Sequence, residues 1–133
     1  MNGSQSSELF LRCPTIYRGR HDGPQRNLMC FGFECGPGWY QILYDLSVAI
    51  ESIAQNMKQN GVTEGQLPLI VQVKEKFGGL RFYLSNHTAE IDDLITAAEE
   101  KAAITCEMCG KPGQLINDSG WYRTVCSACR GSQ

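Results

Sequence analysis

The sequence predicts an α+β fold: two amphipathic helices packed on a β-hairpin sheet, followed by a C-terminal four-cysteine module. Three observations predict it. Apolar residues recur at helical spacing over 39–57 and again over 91–102. Between these stretches, apolar and polar residues alternate on both sides of Gly78-Gly79, the pattern of a hairpin. Near the end, Cys106-x-x-Cys109 and Cys126-x-x-Cys129 stand sixteen residues apart.

The chain has 133 residues, 42% hydrophobic and 20% charged, with a formal net charge of −2. That composition suits one soluble globular chain. No run approaches the roughly 18 apolar residues of a membrane span, so no membrane association is expected. The net charge argues against a generic polyanion binder. Charge is nonetheless segregated: Arg12, Arg18, Arg20 and Arg26 outnumber Glu8 and Asp22 early on, whereas residues 86–109 carry six carboxylates against Lys101. Segregation of this kind can steer a partner.

Residues 1–7 are small and polar and lack the basic-then-apolar pattern of a secretory signal, so they read as a disordered tail. The body is expected over 8–104 and the cysteine module over 105–131. Residues 8–36 are punctuated by glycine and proline and read as irregular. This stretch holds Cys13, Cys30, Cys35 and His21. Three cysteines and a histidine would be a legitimate zinc set. The spacing of Cys30 and Cys35 is wider than a metal knuckle, however, and free cysteine is commonly a small buried hydrophobe, so packing is the favoured reading. Phe31 and Phe33 are expected to anchor the loop, with Cys30 and Cys35 buried as reduced thiols. Arg18 and Arg20 would then lie fixed beside His21, a surface able to pair bidentately with carboxylate or phosphate.

Gly36-Pro37-Gly38 opens the first helix. Its stripe comprises Trp39, Ile42, Leu43, Leu46, Ala49, Ile50, Ile53 and Met57, with Asn60-Gly61 as C-cap. In the hairpin, a Gly78-Gly79 loop pairs Phe77 with Leu80, Lys76 with Arg81 and Lys74 with Tyr83. Leu69, Val71 and Val73 would share the inner face. The other face presents Lys74, Lys76, Arg81 and Tyr83, either a solvated surface or a grip for phosphates or an acidic partner. Thr88 caps the second helix, whose stripe is Ile91, Leu94, Ile95, Ala98 and Ala102. It delivers the chain almost directly to Cys106, so the cysteine module is expected to dock on the body.

Two Cys-x-x-Cys turns joined by 15 to 20 residues form a recognised zinc pattern. Each turn supplies two thiolates, and four thiolates complete a tetrahedral shell at about 2.3 Å with no open position, which makes the site structural. Iron suits the same ligands. Paired disulfides and redox dithiols fit less well in a chain read as cytoplasmic. Within the insert, 114–116 and 121–125 read as two strands around the turn formers Asn117-Asp118-Ser119-Gly120.

Several blocks carry a family resemblance: Tyr17-Arg18-Gly19-Arg20-His21; Cys30-Phe31-Gly32-Phe33-Glu34-Cys35-Gly36-Pro37-Gly38-Trp39; Val73-Lys74-Glu75-Lys76-Phe77-Gly78-Gly79-Leu80-Arg81-Phe82-Tyr83; and Cys106-Glu107-Met108-Cys109-Gly110 with the second cysteine pair. Over roughly residues 14–130 the chain resembles small zinc-ribbon proteins encoded by tailed phages and prophages. The resemblance implies a phage or bacterial cytoplasmic setting and no particular activity.

No Ser/His/Asp set, phosphate loop or histidine beside the zinc pairs is evident. The expected function is therefore non-catalytic: a phage accessory protein that binds and modulates a host protein. Arg18, Arg20, His21, Lys74, Lys76 and Arg81 are its candidate contacts. The alternative is nucleic-acid binding through Lys74, Lys76, Arg81, Arg123 and Arg130. An enzyme built on His21, Cys30 and Cys35 is the least supported reading, since it needs an exposed cysteine of lowered pKa.

Overall fold

The computed structural model describes residues 1–131. It is α+β, with helices over a small sheet and the four cysteines gathered in a ribbon at the C-terminal end. Helices are α1 (Gly3–Arg12), α2 (Tyr40–Gln59), α3 (Ala89–Ala102) and a short α4 (Ser127–Arg130); strands are β1 (Phe33–Glu34), β2 (Leu69–Lys76), β3 (Gly79–Ser85), β4 (Gln114–Asp118) and β5 (Trp121–Val125). The body sheet runs β1-β2-β3, and β4-β5 form a separate hairpin.

The expected tail is instead helical. Asn2 caps α1 by accepting from Gln5 N at 2.8 Å, while the Gln5 side chain accepts from Asn2 N, a reciprocal capping box. Leu9 is fully buried, and Phe10 stacks on Phe33 with ring centres 5.3 Å apart. Capping and this burial outweigh the poor helix propensity of the serines.

The segment between α1 and α2 is irregular but tightly pinned. Glu51 on α2 accepts backbone N–H groups from Thr15 at 3.3 Å and Ile16 at 3.0 Å, and the Tyr17 hydroxyl lies 2.7 Å from Ser47 Oγ. Asn27 accepts from Met29 N and donates to Ile70 O. The segment also contributes β1, which pairs parallel to β2 with Phe33 opposite Val73 and so adds a third strand to the hairpin sheet. Phe33 anchors the loop as expected, but Phe31 is 60% exposed. Cys13 is buried and Cys35 half-buried, whereas Cys30 lies on the surface. The 3-10 turn Leu28–Phe31 spends its one inward position on Met29, which leaves Cys30 and Phe31 outside.

Helix α2 buries Ile42, Leu43, Leu46, Ile50 and Ala54, and α3 buries Ile91, Ile95, Ala98 and Ala102, so both stripes face the core as the periodicity predicts. Thr88 caps α3 by accepting from Ile91 N, and Gly61 takes the left-handed position after Asn60 at φ 87°.

The hairpin pairing differs from expectation. The two-residue loop is Phe77-Gly78, with φ of 53° and 83°, a primed turn. Lys76 therefore faces Gly79, and Lys74 faces Arg81. Moving the loop by one residue shifts the pairing by two, so the face assignments near the tip survive. A bulge at Val71 then reverses them further down, putting Ile70 in the core where Leu69 and Val71 were expected. The ribbon sets the loop position, because Gly78 packs directly on it. A Cβ at Gly78 would lie 2.5 Å from Leu115 Cδ1, and Thr124 Oγ1 donates to Gly78 O at 2.7 Å.

Arg18 is a clamp for this architecture and not a free cation. Its Nη1 donates to Thr15 O and Pro68 O, each at 2.8 Å, and its Nη2 to Glu64 O and Leu67 O at 2.9 and 3.0 Å. Four of the five guanidinium N–H groups are thus committed to carbonyls. Arg18→Ala is expected to cost about 3 kcal/mol, because carbonyls left without a charged donor lose strong hydrogen bonds. Urea unfolding checks it: the midpoint should fall with an unchanged slope.

Candidate metal centre

Both cysteine pairs sit on turns that converge beside β4-β5. In the first, Gly110 N donates to Cys106 O at 2.9 Å, and Gly110 itself adopts φ 82°, a conformation that favours glycine after the knuckle. In the second, Cys126 caps α4, and Cys129 N points at Cys126 Sγ at 3.4 Å. Strands β4 and β5 pair Ile116 with Arg123 around a turn in which Gly120 N donates to Asn117 Oδ1. This hairpin, with buried Ile116 and Val125, carries one knuckle at each end.

The four Sγ atoms of Cys106, Cys109, Cys126 and Cys129 all lie within 4.8 Å of one another, and Cys109 and Cys126 are 3.6 Å apart. A tetrahedral shell at a metal–sulfur distance of about 2.3 Å has edges of about 3.8 Å, so one ion fits with small adjustments. The local electrostatics also suit it. Burial works against a Cys106 thiolate, yet backbone N–H groups of Cys126, Cys109 and Met108 outweigh it and bring its pKa down to about 6. Cys129 is pushed up to about 12, first by its contact with Cys126 and then by Cys109 and Cys106. A metal-free cluster resists holding all four charges at once, and a divalent cation removes that conflict.

The centre is joined to the body by backbone contacts. Glu107 O accepts from Gly38 N at 2.6 Å, and Glu107 Oε2 from Gly36 N at 2.8 Å. The indole Nε1 of fully buried Trp39 donates to Thr105 O at 2.9 Å. Gly36-Pro37-Gly38, read above as a helix opening, is thus also the platform on which the first knuckle rests. Nothing local in the sequence marks that role, because the partner lies 71 positions away.

The remaining candidates are scattered. The group of Cys13, His21, Cys30 and Cys35 does not assemble: among the described residues, the ribbon cysteines are the one set of three or more metal-ligating side chains gathered closely. Burial raises the thiol pKa of Cys13 to about 11 and of Cys35 to about 12, with Glu51 and Glu107 respectively adding to it, so both stay protonated at neutral pH. Arg20 lies 4.6 Å over the Phe10 ring and donates to His21 Nε2 at 3.1 Å, while Arg18 is consumed as described. The expected arginine pair therefore does not form a free fork. Lys74, Arg81 and Tyr83 do share the outer face of the hairpin, with Lys76 exposed at its end. Sequence reasoning missed the junction of hairpin and ribbon, where Phe77, Met108 and Trp121 are all exposed and Phe77 meets Tyr122 edge-on at 6.4 Å.

No protein-family model, no curated protein and no solved structure matches this chain. No helix of the described residues is long and apolar enough to cross a membrane.

Proposed function

We propose that this is a small, non-catalytic zinc-binding protein whose role is to dock on another protein. The observation that carries the reading is the set of large apolar side chains left in water where the ribbon meets the hairpin tip, Phe77, Met108 and Trp121. Exposed apolar side chains held on a rigid frame are what protein interfaces use. Zinc is the ion of choice because four thiolates and a closed tetrahedron suit it, and a closed shell supports structure in preference to chemistry. With the family resemblance, the setting is the cytoplasm of a bacterial host and the partner a host protein that the phage or prophage product modulates.

Nucleic-acid binding is the second reading, favoured by the placement of Lys74 opposite Arg81 with Lys76 and Tyr83 nearby. One experiment separates the two. Tagged protein, checked for about one zinc per chain, is used to capture partners from nuclease-treated host lysate and is titrated with random DNA and RNA at several salt concentrations. A defined protein partner retained at high salt, with no nucleic-acid binding, is expected. Steeply salt-dependent binding to random sequence, flattened by Lys76→Glu with Arg81→Glu, would establish the second reading instead.

A further inference from the structure

The hairpin tip and the ribbon enclose an open cleft of about 420 Å3, walled by Glu75, Glu107, Met108, Trp121, Tyr122 and Arg123. Its apolar wall faces water: Trp121 is 61% and Met108 53% exposed. Its cation is not on offer. Arg123 Nη2 pairs with Asp118 Oδ2 at 3.1 Å, its guanidinium lies 5.0 Å from the Trp121 ring centre, and its Nε is enclosed without a partner. The carboxylates have no such side-chain partner, with the N-terminal ammonium the one cation near Glu107 among the described residues. Glu75 and Glu107 each use Oε2 to accept one backbone N–H, from Gly78 at 2.7 Å and Gly36 at 2.8 Å. Among the described residues neither forms an ion pair.

We propose that this cleft seats an extended segment of a partner protein that carries a Lys or Arg beside an apolar residue. The inference rests on the protein-docking reading above and names the chemistry of the partner. The cationic head pairs with Glu75 and Glu107, which are already oriented by their backbone bonds. Its aliphatic stem lies along Trp121 and Met108. The adjoining apolar residue covers Tyr122. The volume falls in the range of sites that hold a few side chains. A phosphate backbone would meet two carboxylates and an arginine already paired, so the charge balance selects a basic peptide.

The test is selection of a random-peptide display library on the immobilised, zinc-loaded full chain. Enriched peptides are then titrated against wild type, Glu75→Gln and Trp121→Ala. The glutamine keeps an oxygen to accept Gly78 N–H, and zinc content and melting temperature verify that both variants fold. The expected consensus has Lys or Arg next to an apolar residue, and each variant binds it roughly ten- to a hundredfold more weakly. An acidic or uncharged consensus, no enrichment, or affinities indifferent to both variants overturns the assignment. A host protein captured equally by wild type and both variants overturns the cleft and leaves the docking function standing. Salt-sensitive binding of random DNA or RNA, with no peptide enriched, overturns both.

Discussion

Cys106→Ser, or removal of the metal by a chelator, is expected to release residues 105–131 while α2 and α3 stay folded. The ribbon has little apolar core of its own, with Cys106, Ile116 and Val125 as its buried cluster, so the metal must supply most of its stability. Apparent binding free energies of structural zinc are about 10–16 kcal/mol, far more than three side chains can replace. The body buries Leu43, Ile50, Ile70, Val73 and Ile91 without help from the ribbon. Hydrogen exchange should show protection lost over 105–131 and at Gly36, Gly38 and the Trp39 indole, whose acceptors Glu107 and Thr105 move away. Retained protection over 105–131 in the metal-free chain would mean that the body alone holds the ribbon.

The same centre should respond to pH in a set direction. Protons compete with the metal for thiolates, so affinity falls as pH falls. In the released, metal-free ribbon the contacts that shift Cys106 and Cys129 are lost, and all four thiols return to an ordinary cysteine pKa of about 8.5. Each is then protonated at neutral pH and must give up its proton to bind the ion. Titration calorimetry in buffers of different ionisation enthalpy should therefore find close to four protons released per ion at pH 7, and fewer only above about pH 8.

Gly38→Ala is expected to damage the fold more than any other alanine substitution of a glycine. A Cβ there would collide with the Cys106 carbonyl oxygen and come within 2.6 Å of both Glu107 C and Gly110 N. All three are backbone atoms in or beside the first knuckle and cannot swing aside like the end of a flexible side chain. The ribbon must lift from the body or the knuckle must distort, at a cost of about 3 kcal/mol. Gly23→Ala is the control, since a Cβ at Gly23 meets nothing within 4 Å. It should shift stability by less than about 0.5 kcal/mol. Comparison of thermal melts and zinc retention for the two variants checks the pair. A Gly38→Ala protein as stable as wild type would mean that the ribbon does not rest on Gly36-Pro37-Gly38.

Several features were missed although their signals were present. The capping box of α1 is written in Asn2 and Gln5, but in a short serine-rich segment it needs the packing of Leu9 and Phe10 on the core to hold a helix. In the hairpin, two adjacent glycines offered two positions for a primed turn. Local preference favoured Gly78-Gly79, but packing of Gly78 against Leu115 and Thr124 selected Phe77-Gly78. Arg18 and Arg20 look alike in the sequence; one binds four carbonyls and the other covers an aromatic ring.

The sequence by itself determined which four cysteines gather into one cluster able to hold a metal, the inward stripes of α2 and α3, and the faces near the hairpin tip. Each is a short-range pattern: two thiols on one turn, apolar residues at a helical period, side chains alternating along a strand. Only the tertiary structure decided that β1 joins the sheet, that Arg18 is a clamp, and that Glu75, Glu107 and Trp121 border one cleft. These depend on groups far apart in the chain: 40 residues separate Phe33 from Val73, 50 separate Arg18 from Pro68, and 46 separate Glu75 from Trp121. Which distant backbone meets which side chain is set by how the whole core packs, and no local period or spacing encodes it.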